Sequence, residues 1–335
     1  MVDKVGLLIT TTPGDWRDYI KAFTDVWVNK LKHSNSSIKK GPSGGAHGKE
    51  KDIKDGARDF EAELDVKVIV TAGTGAALIC KAELTKPFVY AAVGDPALSH
   101  LLPGVDGTNF TGGNNRQADE AVVKARVDYM LGNGFQAPFV VLGNNEKGQE
   151  PFQTAMTHAY DYLNSLGHAV RLQTITALDD IPTIISAFKA QDPPIKSIYV
   201  CSDPYLTVNS KLLNDEAHDT THGSPYIDTM FEIKEHVDEH GGNAWFGSNF
   251  LELFEKAAYY AHEIMTHTAT PDKLPNYISS LSGGGAAHTR KKGSKKRLRT
   301  KKRLRRRNNG FPRNTSLQSA LPPPGGPWTF PAVNF

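Results

Sequence analysis

The stretch Val66 to Leu102 reads VKVIVTAGTGAALICKAELTKPFVYAAVGDPALSHLL, and its pattern decides the fold class. It begins with an apolar run, Val66 to Val70, of the length and β-branched composition of a buried strand. That run ends in a turn of small residues, TAGTG, after which a helix is predicted. A second apolar run, Pro87 to Ala92, ends at Gly94-Asp95-Pro96. This order predicts a βαβ unit with parallel strands.

The same alternation continues in both directions along the chain. The run Val5 to Thr10 predicts a strand and is followed by a helical pattern, whereas His33 to Gly56 is rich in Ser, Gly, Lys and His and is predicted to be a solvated loop. The fold class is therefore α/β, with doubly wound parallel sheets covered by helices on both faces. The other predicted strands are Phe139 to Leu142, Ala169 to Thr174, Ser197 to Cys201 and Asn243 to Phe246, and the predicted helices are Trp16 to Leu31, Ala57 to Leu64, Gln117 to Leu131, Pro151 to Leu166, Ile181 to Lys189 and Asn249 to His267.

Glycines and short polar side chains follow the predicted strands, at the sheet edge where ligands bind in such folds. The TAGTG turn offers backbone N–H groups and the Thr74 hydroxyl at a helix N-terminus, which suits a carboxylate or a phosphate. It lacks the lysine of a P-loop and the GxGxxG spacing, so a nucleotide site is not favoured. Glycines that merely allow a tight turn explain the pattern equally well. For Asp203, pairing with a ligand ammonium group and capping of the next turn are equally good interpretations.

Composition and motifs exclude several classes of protein. The apolar runs are far shorter than the ~20 residues of a membrane-spanning helix, so no transmembrane segment is predicted. Cys80 and Cys201 provide no disulfide scaffold and are expected to be small buried thiols. No HExxH, GxSxG or CxxC motif occurs, and His218 and His222, spaced i,i+4 in a polar stretch, indicate a solvated face rather than a metal site. We predict no catalytic residues, no metal and no cofactor.

The charge is distributed very unevenly, although the formal net charge is only +3. All 36 acidic residues lie at or before Asp272, and 15 of the 39 Lys and Arg lie after it. The first 272 residues therefore carry 24 cations against 36 acids, a net charge of −12, and the remainder carries +15. Thirteen of the later cations fall between Arg290 and Arg307. The main body and the tail are chemically different.

The stretch quoted first resembles the substrate-binding proteins of an ABC-importer family that includes tryptophan-binding relatives. In that family a strand and a G-T-x-A-A turn are followed by a strand and a V-G-D-P turn. The resemblance recurs in FVVLGNNEKGQEPFQ (Phe139 to Gln153), SIYVCSDPYLTVNS (Ser197 to Ser210) and GGNAWFGSNFLELFEKAAYYAHEIM (Gly241 to Met265). These segments occur in the expected order and together cover most of residues 1–280.

The resemblance implies a type I periplasmic-binding fold, in which two doubly wound lobes are joined by crossing segments and close on a small ligand. The crossings are expected near Gly112-Gly113, near Phe246-Gly247 and after Asp272. The first lobe then comprises residues 1–112 with 247–272, and the second comprises 113–246 with 273–282. Residues 283–335 are expected to be a basic, Pro- and Gly-rich tail that is disordered or produced by a shifted reading frame, which would leave the second lobe without a strand and a helix.

The resemblance also implies which residues line the ligand cleft. Hydroxyls and amides of one lobe suit a carboxylate, and an acid with amides of the other suits an amine, so an amino-acid-like ligand is expected. Phe246, Tyr205 or Tyr90 serves either as an apolar wall or as core. The ligand-binding residues carried over from the family are Thr11, Thr12, Gly73, Thr74, Asp95, Asn144, Asn145, Asp203 and Phe246.

The family resemblance further implies an ABC permease as partner and a periplasmic or otherwise extracytoplasmic location. No export signal precedes Val5, and we expect it to have been removed from this chain, with retention inside the cell as the alternative. The competing function is a cytoplasmic ligand sensor whose tail, Arg290 to Arg307, binds nucleic acid. Because no helix-turn-helix precedes Val5 and no aromatic residue interleaves with the cations, nucleic-acid binding is disfavoured.

Overall fold

The computed structural model describes residues 2–9, 17–41, 50–102, 107–144, 150–176, 180–201 and 204–285. The strands are β1 (Lys4–Ile9), β2 (Ile38–Lys40), β3 (Val66–Ala72), β4 (Phe88–Val93), β5 (Phe110–Asn114), β6 (Phe139–Asn144), β7 (Val170–Ile175), β8 (Ser197–Val200), β9 (Asp228–Phe231), β10 (Ala244–Ser248), β11 (Tyr277–Ile278) and β12 (Leu281–Gly285). The helices are α1 (Arg17–Asp25), α2 (Glu50–Ala62), α3 (Thr74–Glu83), α4 (Glu120–Gly132), α5 (Glu150–Ser165), α6 (Ile181–Lys189), α7 (Pro204–Val208), α8 (Ser210–His218), α9 (Glu235–Asp238) and α10 (Phe250–Met265).

These elements form two six-stranded sheets. The first has the order β11-β5-β4-β3-β1-β2, and the second has the order β12-β10-β9-β8-β6-β7. Every described pairing is parallel except that between β10 and β12. The first lobe is the first sheet with α1, α2, α3 and α10, and the second lobe is the second sheet with α4 to α9.

Each sheet is covered by helices on both faces. In the first lobe, Phe23 and Phe254 of α1 and α10 pack on one face, and Phe60 and Cys80 of α2 and α3 pack on the other. In the second lobe, α6 and α8 cover one face and α4 and α5 the other. Central strands such as β4 are buried along their whole length, as parallel strands between two helical layers are. The predicted doubly wound α/β class is confirmed.

Over the described residues, the chain passes between the sheets three times, after β5, after β10 and between β11 and β12. Residues 273–282 were expected in the second lobe, but Tyr277 and Ile278 pair with β5 in the first sheet. The Tyr277 hydroxyl donates to the carbonyl of Leu253, 3.0 Å away, which ties β11 to α10. A contact between residues so far apart in sequence leaves no local pattern. The lobe boundaries otherwise stay a prediction.

The strand β12 lies where the sequence showed no apolar pattern. Residues 283–285 were assigned to the tail, yet they pair antiparallel with β10 and extend the second sheet. A Cβ on Gly283 would lie 2.8 Å from a ring carbon of Phe246, and one on Gly284 would lie 2.7 Å from Nε1 of Trp245. The glycines are therefore what allows this strand to lie against two aromatic side chains. Residues 286–335, with the basic run, lie outside the described residues.

A second difference concerns the predicted loop at His33 to Gly56. Ile38–Lys40 form β2, which pairs with β1, and α2 begins at Glu50 rather than at Ala57. The stretch IKK has one apolar residue and no alternation, so its pairing is decided by β1. Among the described residues no helix is long and apolar enough to cross a bilayer. Cys80 and Cys201 are buried free thiols, as predicted, and burial raises the pKa of Cys80 to about 12.

Candidate functional site: the strand ends of the two lobes

The turn after β3 is built by backbone geometry that requires glycine. Gly73 has φ +91°, in the left-handed region, and caps α3. Its N–H donates to the carbonyl of Ala92 at the end of the neighbouring strand β4, 3.0 Å away. A Cβ on Gly75 would meet no atom within 4 Å. The first turn of α3 therefore has open space beside it.

Thr74 connects this turn to the turn after β4. Its side-chain oxygen, Oγ1, accepts a hydrogen bond of 3.1 Å from the backbone N–H of Gly94, and the residue is buried. The structure thus brings Gly73 and Thr74 together with Gly94 at one edge of the first sheet. This adjacency follows from the parallel pairing of β3 with β4.

Asp95 lies next to this group but turns its carboxylate toward its own chain. Its Oδ1 accepts from the backbone N–H groups of Ala97 and Leu98 at 2.8 and 3.0 Å. An acid at this position therefore stabilises the turn after β4, as Asp residues commonly do. Thr11 and Thr12, the other site residues predicted in this lobe, lie outside the described residues.

Gly94 is the point where both lobes and a crossing segment meet. A Cβ placed on Gly94 would lie 3.6 Å from Thr74 Oγ1, 3.1 Å from Gln117 Oε1 and 3.1 Å from the Cβ of Pro151. Thr74 belongs to the first lobe, Gln117 to the segment between β5 and α4, and Pro151 to α5 of the second lobe. Polar groups from two of these three elements are therefore within reach of one small ligand group.

Gln117 was not among the predicted site residues. It is buried, and its side-chain Nε2 makes no hydrogen bond. In the sequence it stood at the polar start of a predicted helix, where glutamine is common, so nothing local distinguished it. Its side chain and Pro151 of α5 both lie beside Gly94, a proximity that only the tertiary structure shows.

In the second lobe, Asn144 ends β6 and is buried. Asn145 and Asp203, which the sequence placed beside it, lie outside the described residues. Phe246 lies on β10 with its ring 5.3 Å from the ring of Tyr129, in the core between the sheet and α4. Phe246 is only partly buried, so its role in the cleft stays a prediction. Tyr90 is fully buried, and its hydroxyl donates to the carbonyl of Leu101 at 2.8 Å.

A buried ion pair connects α4 to three strands of the second sheet. The Arg126 guanidinium of α4 lies 2.5 Å from Glu232, which follows β9, and donates to the Tyr199 hydroxyl of β8 at 2.5 Å. Its Nε donates to the carbonyl of Phe246 on β10 at 2.6 Å. Burial is the largest single influence and would lower the pKa of Arg126, but the Glu232 charge together with Tyr199 and Cys201 outweighs it, and the pKa is raised. The pair fixes β8, β9 and β10 relative to α4.

The lobes also contact each other through α1 and α9. The Tyr19 hydroxyl of α1 donates to the Glu235 carboxylate of α9, and Arg17 lies 3.4 Å from Glu239. Burial is the main cause that raises the pKa of both Tyr19 and Glu235. A second connection is the hydrogen bond from Ser248 to the carbonyl of Asn115, which joins two crossing segments. These contacts hold the two lobes in the observed arrangement.

The histidines of the second lobe form packed pairs rather than a metal centre. His218 donates a 2.8 Å hydrogen bond from Nε2 to Oδ1 of Asn243 and stacks on Tyr226, whereas Asp219 to Thr221, which follow it, are exposed. His236 and His240, also spaced i,i+4 and overlooked in the sequence, stack with ring centroids 5.9 Å apart. Within the described ranges, no three His, Cys, Asp or Glu side chains are grouped to hold a metal.

Comparison with known proteins supports the fold but gives no sequence family. No family model matches the chain, and no curated protein matches it. Among solved structures, an ABC domain in complex with L-Trp from Streptococcus pneumonia has a TM-score of 0.69 at 14% identity and covers 84% of this chain and 91% of its own. A conserved domain protein from Vibrio cholerae has a TM-score of 0.67 at 17% identity, with the same coverage.

A third similar structure is an ABC transporter solute binding protein from Agrobacterium vitis bound with α-D-tagatopyranose. It has a TM-score of 0.59 at 10% identity and covers 84% of this chain and 94% of its own. At such identities the likeness establishes the architecture alone. The chain has the two-lobe fold of ABC-transporter solute-binding proteins, as the sequence resemblance implied.

Proposed function

We propose that this protein is the solute-binding component of an ABC importer, which closes on a small amino-acid-like ligand and presents it to a permease. The observation that carries the proposal is the meeting at Gly94 of Thr74 from the first lobe, Gln117 from a crossing segment and Pro151 from the second lobe. A ligand bound there contacts both lobes and therefore favours their closed arrangement. The closed form is then what the permease recognises.

The proposed ligand-binding residues are those at the strand ends. The first turn of α3, with Gly73 and Thr74, suits a carboxylate because its N–H groups and the helix dipole favour negative charge. Asn144 and Asp203 of the second lobe suit an amine. The proposed set also includes Thr11, Thr12, Asp95, Asn145 and Phe246.

The proposal implies an extracytoplasmic location and no chemical reaction. Two of the solved structures of similar fold are an ABC domain in complex with L-Trp and a solute binding protein bound with α-D-tagatopyranose. An amino acid is favoured here over a sugar because Thr74 lies at a helix N-terminus, where a carboxylate gains more than a neutral hydroxyl.

A thermal-shift screen tests the proposal. The full chain is melted with each of the twenty amino acids and with D-tagatose, D-arabinose, myo-inositol and allitol. A compound present at about a hundred times its dissociation constant adds roughly 2.7 kcal/mol of stability if it binds only the folded chain. A selective shift with one amino acid supports the proposal, a shift only with a sugar overturns the ligand class, and no shift in a cooperatively melting chain overturns the function.

A charge placed in the cleft locates the binding site. Gly75→Asp puts a carboxylate beside the first turn of α3, which stabilises the helix but competes with a ligand carboxylate. Gly132→Asp is the matched control. A Cβ on Gly132 also meets no atom within 4 Å, but Gly132 is the last residue of α4, in the second lobe. We expect the ligand shift to be lost in the first variant and kept in the second.

A further inference from the structure

Gln117 carries a buried hydrogen-bond donor that the folded chain does not use. The residue is 3% exposed, and its Nε2 has no hydrogen-bond partner. Its backbone is well held, since its N–H donates to the carbonyl of Gly94 at 2.9 Å and to Asn115 Oδ1 at 3.3 Å. A buried donor without an acceptor lowers stability, and native proteins contain few of them. This one lies where a ligand would provide the acceptor.

The side chain points to the turn that precedes α3. Gln117 Oε1 and Thr74 Oγ1 lie 3.1 and 3.6 Å from the same point, the position of a Cβ on Gly94. Thr74 Oγ1 accepts from Gly94 N–H, so the hydroxyl proton of Thr74 points away from Gly94. Oε1 is the acceptor end of the Gln117 carboxamide, and the unpaired donor Nε2 is bonded to the same carbon, so that donor also lies near this turn.

We infer that Gln117 donates its side-chain N–H to a carboxylate group of the ligand, together with the Thr74 hydroxyl and the first-turn amides of α3. The inference rests on the proposed function and names the ligand chemistry of that site. A carboxylate accepts from all three donors, whereas an ammonium group accepts from none. The carboxylate of Asp95, which would oppose an anion, is held by the amides of Ala97 and Leu98.

The position of Gln117 also couples binding to closure. It lies in the segment that leads from β5 in the first lobe to α4 in the second, and Pro151 of the second lobe packs on the same point at Gly94. A carboxylate bound between Thr74 and Gln117 is held by the first lobe and by the crossing segment together. Its contribution to affinity is therefore largest in the closed arrangement.

The test is Gln117→Met, which keeps the side-chain length but removes both donors, with Gln136→Met as control. Gln136 is exposed in the second lobe. The probes are the amino acid of largest thermal shift in the full chain, its primary amide and its decarboxylated amine. We expect Gln117→Met to weaken binding of the free amino acid by roughly 10- to 100-fold, as loss of a hydrogen bond to a charged group does, and to change binding of the other two much less.

The outcomes separate this inference from the proposed function. If the unsubstituted chain binds an amino acid and Gln117→Met binds it equally well, the inference is wrong and the function stands. If no amino acid binds the unsubstituted chain, the proposed function fails and the inference that rests on it fails with it. If the unsubstituted chain binds an amino acid and Gln117→Met loses that binding with an unchanged melting temperature, while Gln136→Met keeps it, the inference is supported.

Discussion

The two lobes share one architecture but bury very different side chains. Among the described residues of the first lobe, the buried polar side chains are hydroxyls such as Thr71 and Thr111. The second lobe buries Arg126, Glu232 and His236, and also several asparagines. The stability that comes from apolar burial depends little on pH and decreases only gradually when single contacts are lost. Buried charged and titratable groups, in contrast, are stable only when every hydrogen-bond or ionic partner is in place. The comparison predicts that the second lobe is the more fragile under acid and under single substitutions.

The largest expected effect is the loss of the buried ion pair. Arg126→Met leaves the Glu232 carboxylate buried beside Tyr199 without its cation, and we expect a loss of about 3–5 kcal/mol in the free energy of unfolding, measured with urea. Replacing Glu232 by Gln in the same chain should restore part of that loss, because the uncompensated charge is then gone.

The control for this prediction is a first-lobe arginine in a surface ion pair. Arg58 lies 2.9 Å from Glu83 with its side chain 61% exposed, and solvent screens such pairs. Arg58→Met should leave the urea midpoint unchanged. Equal losses in the two variants would contradict the proposed contrast between the lobes.

Each lobe contains a strand glycine whose Cβ position is blocked by a backbone carbonyl oxygen, and replacing that glycine should destabilise both lobes by a similar amount. A Cβ on Gly112 of β5 would lie 2.1 Å from the carbonyl oxygen of Tyr90, and one on Gly247 of β10 would lie 2.4 Å from that of Glu232. Each glycine lies just before a crossing, and substitution to Ala should cost about 3 kcal/mol through forced backbone movement. Gly132→Ala, where the Cβ position is open, should stabilise the chain slightly. A harmless Gly112→Ala would show that the strand spacing is not fixed.

Acid should destabilise the second lobe through His236. Burial, with a smaller effect of the His240 charge, lowers the pKa of His236 from 6.5 to about 3. Between pH 6.5 and pH 3 His236 is therefore protonated in the unfolded chain but not in the folded chain. The free energy of unfolding is unaffected by this group above pH 6.5 and decreases as the pH falls toward 3. The loss is about 2 kcal/mol at pH 5. Urea unfolding at pH 8 and pH 5 measures it, and His236→Phe should remove it.

The first lobe offers the matched comparison for this pH dependence. His33 is partly buried, and burial together with the His262 charge lowers its pKa. The sign is the same, so His33→Phe should also reduce the loss of stability in acid, but by less than His236→Phe because His33 is more exposed. A larger effect of His33→Phe would reverse the assignment of acid sensitivity to the second lobe.

The smallest expected effect concerns the contact between the lobes. Tyr19→Phe removes the hydroxyl that donates to Glu235 and should destabilise the observed arrangement of the lobes by about 1 kcal/mol. That is a roughly fivefold change in the ratio of the observed arrangement to more open ones. Small-angle scattering without ligand should then show a larger radius of gyration. Tyr162→Phe is the control, since its bond to Asp128 at 3.0 Å lies within one lobe, and it should leave the radius unchanged.

The strands that sequence reasoning found and those it missed differ in their surroundings. β3 and β4 are apolar throughout because helices cover both their faces, so their pattern is visible without a structure. β2, β5 and β9 are short or contain glycine and polar residues. Such segments become strands because a neighbouring strand offers its hydrogen-bonding edge. Their pairing partners are far away in sequence, which a local pattern does not report.

The candidate site shows the same division. The glycine at 73 was visible because a left-handed turn between strand and helix requires it. Asp95 was visible as a polar residue after a strand, but the direction of its carboxylate was not. Gln117 could not be identified from the sequence, because what marks it is its burial and its unpaired side-chain donor Nε2.

The sequence by itself determined the α/β class, the order of most strands and helices, the resemblance to ABC solute-binding proteins and the opposite charges of body and tail. These follow from periodicity, turn chemistry and composition, all of which act over a few residues. Only the tertiary structure decided that Tyr277 and Ile278 belong to the first sheet, that Arg126 and Glu232 form a buried pair, and that Gln117 faces Thr74 across Gly94. Those facts depend on which distant segments pack together, and burial and unpaired donors exist only once they do.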